Sequence, residues 1–331
     1  MKYYSLGGKT LRCELCPHSC ALFPGGSGVC RVRYNRKGSG ETPFYGFITA
    51  KGVDPIEKKP LYHFRPGSSI LSVGFSGCNL RCPFCQNYHI SQRTDGPGRH
   101  IPPQELIAAA QENCFQIAYT YSEPLVHIEY LLDCMTEARK HGVANVLVTN
   151  GCVNLKAAEE VLSLTDAANV DLKCFSHKTY TKVLGGDLET VLTFIRTACN
   201  MGVHVELTTL VVPGLNDSEK ELEACVDFIE GLGTLVPWHL SAYHPDWKWK
   251  APPTSPEFLI QFAAKARQRL AFVYTGNIAG ETNDSFCLHC GKPLVSRRAY
   301  TIDTTGLSLQ TRDGKPIYTC ASCGKDAPVR V

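Results

Sequence analysis

From Ile70 to about Tyr274, apolar runs of strand length alternate with helix-length segments of mixed polarity. Candidate strands are Ile70–Phe75, Gln116–Tyr121, Asn145–Thr149, Ala168–Leu172, His204–Val212 and Trp238–Tyr243. Candidate helices are Pro103–Asn113, Val126–His141, Leu155–Leu164, Leu188–Met201, Asp217–Gly231 and Glu257–Ala271. Pro102-Pro103 and Asp217-Ser218 suit helix starts, and Gly142 and Gly202 suit helix stops. Such alternation predicts an α/β fold with parallel strands and right-handed crossovers. At roughly 35 residues per unit the stretch holds about six units, against eight in a complete barrel. The count alone admits a partial barrel or an open doubly wound sheet. No G-x-G-x-x-G opens any of these helices, which argues against a nicotinamide enzyme.

Directly after the first candidate strand comes Gly77-Cys78-Asn79-Leu80-Arg81-Cys82-Pro83-Phe84-Cys85, a C-x3-C-x2-C loop. Iron–sulfur clusters are held by cysteine thiolates, four for a cubane. Three thiolates from one short loop leave one iron open for substrate or cofactor, as a catalytic metal keeps one position free. Phe84 offers an apolar face to a flat ring beside such a cluster. The plainer readings are a loop of buried thiols or half of a zinc site.

The C-x3-C-x-aromatic-C signature resembles that of the radical S-adenosylmethionine (SAM) enzymes. A longer match runs from Asp54-Pro55-Ile56-Glu57-Lys58-Lys59-Pro60-Leu61-Tyr62-His63-Phe64 through Gln86-Asn87 to Tyr119-Thr120-Tyr121-Ser122-Glu123-Pro124. It is similar to the AmmeMemoRadiSam radical SAM proteins, relatives of the pyruvate formate-lyase activating enzymes. The resemblance implies a partial (β/α)6 radical SAM barrel. It also implies a [4Fe–4S] cluster on Cys78, Cys82 and Cys85, with SAM chelated at the open iron and Phe84 near its adenine. A flavodoxin or ferredoxin-type electron donor is implied too. The family name implies AMMECR-domain and Memo-like companions.

The resemblance also distributes SAM contacts over the strand ends, where ligands collect in parallel α/β proteins. Tyr121-Ser122-Glu123 lies where radical SAM enzymes hold the SAM amino group, a segment often written GGE, and a carboxylate and carbonyls can accept from an ammonium. Thr149-Asn150-Gly151 follows the third strand. Asp171-Leu172-Lys173 resembles a D-L-K motif that meets the SAM ribose and carboxylate, and alternation puts Asp171 and Lys173 on one strand face. His244, in a Tyr-His element after the sixth strand, is implied to approach the ribose; His239 has no such support. One departure is Val148, where the activating enzymes carry an aspartate that contributes to a monovalent-cation site. That departure weakens the glycyl-radical activating reading.

Seventeen cysteines in 331 residues are otherwise the anomaly of a chain with ordinary apolar (44%) and charged (20%) content. No apolar h-region opens the chain and no apolar run approaches the ~20 residues of a membrane helix. A reducing, cytoplasmic location follows, in which clustered cysteines are metal ligands or catalytic thiols. A net charge of +3 is too small to argue for nucleic acid or an anionic membrane.

Two further clusters flank the alternating region. Cys13-x2-Cys16-x3-Cys20-x9-Cys30 suits a closed tetrahedral zinc site, with a second iron–sulfur cluster as the alternative. Cys287-x2-Cys290 and Cys320-x2-Cys323, each followed by glycine, form a zinc-ribbon signal. Three parts are expected: a metal-binding extension (1–67), a radical SAM core (68–276) and a zinc-ribbon-like module (277–331), with Gly276–Asp284 as linker. Cys114, Cys134, Cys152, Cys174, Cys199 and Cys225 default to small buried hydrophobes, Cys152 and Cys174 being the two nearest the strand ends. Glu57-Lys58-Lys59 is a binding patch or a solvated charge run. A reading from another class makes the four-cysteine units recognition ribbons for nucleic acid or protein; no basic stripe with interleaved aromatics supports it.

Overall fold

A computed structural model describes residues 2–7, 10–280, 283–298 and 301–331. Residues 281–282 of the expected linker lie outside the described residues. The central sheet has eight strands: β1 (Ala50–Pro55), β2 (Ser69–Gly74), β3 (Gln116–Thr120), β4 (Ala144–Thr149), β5 (Ala167–Asp171), β6 (His204–Val211), β7 (Trp238–Ala242) and β8 (Val273–Gly276). Strands β2 to β5 are almost continuously buried, as strands covered on both faces must be.

Spatial order follows chain order from β1 to β8 without reversal. A doubly wound sheet reverses at a switch point, so the partial barrel is the architecture, with helices α1 (Pro103–Asn113), α2 (Ile128–Lys140), α3 (Leu155–Leu162), α4 (Leu188–Asn200), α5 (Glu219–Leu232) and α6 (Pro256–Ala266) in the connections. Asp187, Ser218 and Ser255 cap α4, α5 and α6 by accepting from the backbone N–H groups of Thr190, Glu221 and Phe258.

Two strands exceed the six expected. β8 pairs parallel with β7 where the sequence suggested that a helix runs on to Ala271; α6 instead ends at Ala266. β1 pairs antiparallel with β2, so the sheet begins inside the segment assigned to the N-terminal extension. Among the described residues no helix is long and apolar enough to cross a membrane.

The N-terminal segment folds as a small antiparallel sheet, Tyr4–Gly7, Thr10–Cys13 and Ala21–Leu22, on the side of the barrel. Arg33, buried, ties it down through a two-pronged ion pair with Glu129 on α2, at 2.8 and 2.7 Å. The C-terminal hairpins dock on the opposite end of the barrel from the strands' carboxyl ends. There Arg297 donates to the Tyr62 carbonyl at 2.7 Å and lies over its ring, and the Arg330 N–H donates to the His63 carbonyl.

Candidate active site

The cysteine loop leaves β2 through Gly77, whose φ of +82° favours glycine. A Cβ at Gly77 would stand 2.4 Å from the Cys30 carbonyl oxygen, so this glycine also permits the N-terminal segment to press against the loop. The Arg81 N–H donates to the carbonyl of Leu184, the last residue of a π-helical turn, and fixes the middle of the loop. Single π turns are common at functional sites. The Lys248 and Trp249 N–H groups both donate to the Pro83 carbonyl, so the chain after β7 clamps the loop from the other side.

Cys78, Cys82 and Cys85 line one cavity of about 370 Å³ at the carboxyl ends of the strands, together with Phe84, Asp171 and Lys173. Burial raises the thiol of Cys78 well above its ordinary value. Burial lifts Cys82 to about 12, with Lys173 pulling it back. Bare thiols here hold their protons, so ionisation waits on a metal, which deprotonates a coordinating thiol outright. The Asn150 amide reaches toward Cys78 Sγ (3.7 Å) and donates to the Asn79 side chain (3.0 Å), which in turn donates to the Cys152 carbonyl.

Across the cavity, Lys173 Nζ lies 3.0 Å from Asp171 Oδ2. Burial works against the ammonium charge, but the adjacent Asp171 carboxylate outweighs it and raises its pKa. A fixed cation and a hydroxyl-accepting carboxylate therefore face the thiol loop. Tyr121 and Ser122 also line the cavity. Tyr121 holds a left-handed φ of 72°, a strained conformation for a ring-bearing residue. Its hydroxyl donates to Asp54 at 2.8 Å, and Ser122 donates to the Phe75 carbonyl.

Three of the residues expected at SAM, Glu123, Thr149 and His244, are not among those that line the cavity. The Glu123 carboxylate is fully buried behind the wall, and both of its oxygens accept from the protein itself. Oε1 accepts from Leu125 N–H and the Thr149 hydroxyl, Oε2 from Asn150 N–H. Burial raises its pKa to about 7 while these bonds lower it. Glu123 thus braces the turn after β3 against the turn after β4 through three accepted bonds. Thr149 belongs to the same brace. His244 is exposed, and its Nε2 lies 3.4 Å from the side chain of Gln86, which lines the cavity. Phe84, Tyr121, Ser122, Asn150, Asp171 and Lys173 are brought together.

Lys59 is a site residue that sequence reasoning left undecided. It is buried, pairs with Asp54 at 2.9 Å, stacks over Tyr121 and lines the cavity. Burial lowers its pKa against the pull of Asp54. Its signal was the five-residue spacing to Asp54. Val148 lines the same cavity with an apolar side chain. His239 belongs elsewhere: it pairs with Glu206 at the opposite end of the barrel.

A curled parallel sheet with a C-x3-C-x2-C thiol loop and a facing Asp–Lys pair defines the radical SAM class. Residues 72–229 match the family model of the Radical SAM superfamily. The chain is 35% identical over 332 residues to an uncharacterized protein of Methanocaldococcus jannaschii, spanning 98% of this chain and 97% of that one. It is 25% identical over 204 residues to the pyruvate formate-lyase 1-activating enzyme of Escherichia coli strain K12, over 59% of this chain and 82% of that one. A radical SAM methyltransferase from Sphaerobacter thermophilus shares the fold, with a TM-score of 0.51 at 18% identity over 64% of this chain and 67% of that one. This chain belongs to the radical SAM superfamily, and it is an enzyme whose family chemistry uses a [4Fe–4S] cluster and SAM.

Proposed function

We propose that Cys78, Cys82 and Cys85 hold a [4Fe–4S] cluster with one iron left to SAM, and that the enzyme abstracts hydrogen from a substrate admitted to the same cavity. The observation that carries this is the placement of three thiols and the Asp171–Lys173 pair on one cavity wall. The donor set fits: three sulfurs and no fourth ligand from the loop. When bound and reduced by a flavodoxin or ferredoxin-type donor, the cluster supplies the electron that cleaves SAM to methionine and a 5′-deoxyadenosyl radical.

The chain's own residues bind and orient. Lys173 presents its ammonium to the SAM carboxylate, and Asp171 accepts from the ribose hydroxyls. Phe84 gives the adenine an apolar face. The backbone carbonyls around Tyr121 and Ser122, both of which line the cavity, accept from the SAM ammonium. Lys173→Ala is expected to weaken SAM binding by about 1.5–3 kcal/mol, the worth of a charge-assisted hydrogen bond. Equilibrium binding on the reconstituted enzyme measures it; unchanged affinity removes Lys173 from the site.

The finer family reading is the AmmeMemoRadiSam group, with AMMECR-domain and Memo-like companions, and a cytoplasmic location. It is supported by the Asp54–Phe64 signature, of which Asp54 and Lys59 contribute to the cavity region. A glycyl-radical activating function is the second reading, favoured by the likeness to the pyruvate formate-lyase 1-activating enzyme. Val148 in the cavity wall weighs against it.

The C-terminal module is read as a zinc site. Cys287, Cys290, Cys320 and Cys323 bring their sulfurs within 4.8 Å of one another, with 3.7 Å between Cys287 and Cys323 and between Cys290 and Cys320. Tetrahedral zinc with bonds of about 2.3 Å sets its sulfurs about 3.8 Å apart. Each knuckle closes alike: Gly291 and Gly324 N–H donate to the carbonyls of Cys287 and Cys320. The metal stands far from the cavity and is structural, contributing ~10–16 kcal/mol of binding energy to folding. Chelating it from the whole protein is expected to expose the 285–331 backbone to fast amide exchange while the barrel stays protected. Unchanged exchange after proven zinc loss contradicts this.

A further inference from the structure

We infer that Cys13, Cys16, Cys20 and Cys30 hold a second [4Fe–4S] cluster, packed against the back of the loop that carries Cys78, Cys82 and Cys85. Cys13 and Cys20 face each other across the hairpin: the pairs Leu11–Leu22 and Arg12–Ala21 lead into a Cys13 N–H to Cys20 carbonyl bond of 2.9 Å. Directly opposed residues keep their side chains on one face. Gly28 leaves room between two of the thiols, since a Cβ there would stand 3.5 Å from Cys20 Sγ and 3.7 Å from Cys30 Sγ. Cys16 lies within electrostatic reach of both Cys13 and Cys30. The four thiols thus surround one volume, with Cys13, Cys16 and Cys30 buried and Cys20 half-buried.

Spacing separates iron–sulfur from zinc. Among the described residues, the C-terminal four cysteines form a group whose sulfurs all lie within 4.8 Å of one another, and neither Cys13, Cys16, Cys20 and Cys30 nor Cys78, Cys82 and Cys85 form such a group. Zinc draws four sulfurs onto one atom, whereas a cubane binds each thiolate to a different iron and holds them farther apart. His18 Nε2 lies 2.8 Å from the Asn79 carbonyl, a contact that ties this segment to the neighbouring cysteine loop.

The surroundings suit an anionic cluster. Arg33, a buried guanidinium, lies within electrostatic reach of Cys13 and Cys30. Two buried polar atoms beside this volume, Arg33 Nε and the Tyr4 hydroxyl, have no hydrogen-bond partner among the described residues. Buried donors normally have partners, and cluster sulfur is an acceptor whose hydrogen bonds help set its potential. Four protein ligands leave no iron open. Such a cluster can carry an electron but cannot chelate SAM, so its role differs from that of the radical site.

The test uses full-length protein, reconstituted anaerobically, with Cys78, Cys82 and Cys85 all replaced by alanine. About four irons per chain, one zinc, and a [4Fe–4S] electron paramagnetic resonance signal on reduction are expected. Iron at background with two zincs per chain overturns the assignment. Wild-type protein provides the check that needs no variant: Mössbauer quantitation should give about eight cluster irons per chain, and four overturns the second cluster. Loss of 5′-deoxyadenosine formation in the triple variant reports on the radical site separately, so either reading can fail alone.

Discussion

Replacing Cys78, Cys82 and Cys85 together with alanine is expected to abolish 5′-deoxyadenosine formation from SAM under dithionite, with no residual rate above that of a protein-free control. The size of the effect follows from the chemistry. No side chain on the cavity wall can supply a low-potential electron to a sulfonium, and a cluster with four protein ligands has no open iron at which to bind SAM, so no partial rate is expected. The three thiols sit on a loop whose path is fixed by backbone bonds at Arg81 and Pro83, not by the sulfurs. The variant therefore keeps its fold, and circular dichroism and the thermal midpoint should stay near wild type. A triple variant that still makes 5′-deoxyadenosine at the wild-type rate refutes the cluster assignment outright. Loss of activity together with loss of the folded signal would be repeated with Cys85→Ala alone, the half-buried thiol, where the same loss is expected in a folded protein.

The sequence made some of this legible for definite reasons. β2 to β5 are buried on both faces, so they read as unbroken apolar runs bounded by turns. β1 was hidden because it is an edge strand with Lys51 and Val53 exposed and Pro55 at its end, a composition that reads as polar turn. β8, only Val-Tyr-Thr-Gly, is too short to stand out as a strand directly after a helix pattern that reads on to Ala271. At the site, motif position located Glu123 correctly along the chain but could not say which way its carboxylate turns. The buried N–H groups of Leu125 and Asn150 require acceptors, and Glu123 supplies them. Lys59 shows the reverse case: a run of charges looks solvated until the chain folds Asp54 and Tyr121 against it.

Glu206→Gln is expected to lower stability by about 2–6 kcal/mol, since two buried donors lose their acceptor at about 1–3 kcal/mol each. Glu206 is fully buried on β6 and accepts from four donors: Tyr62 N–H (3.0 Å), His63 N–H (2.7 Å), His204 Nε2 (3.0 Å) and His239 Nε2 (2.7 Å). A glutamine keeps one acceptor oxygen and turns an NH2 group toward two of those donors, so shape is preserved while hydrogen bonding fails. The damage extends to the C-terminal module, because His63 also contacts the Pro328 carbonyl and the Tyr274 hydroxyl, which meets Ser285. Burial alone would raise the Glu206 pKa, but the two histidines outweigh it and hold it well below the ordinary value. Its stabilising contribution is therefore present above the unfolded-state pKa of about 4.3 and is lost as pH falls through the folded-state value. Urea unfolding midpoints of wild type and Glu206→Gln should differ most near neutrality and converge in acid. A constant gap across that range would mean that packing, not the carboxylate charge, holds this end of the barrel to the C-terminal module.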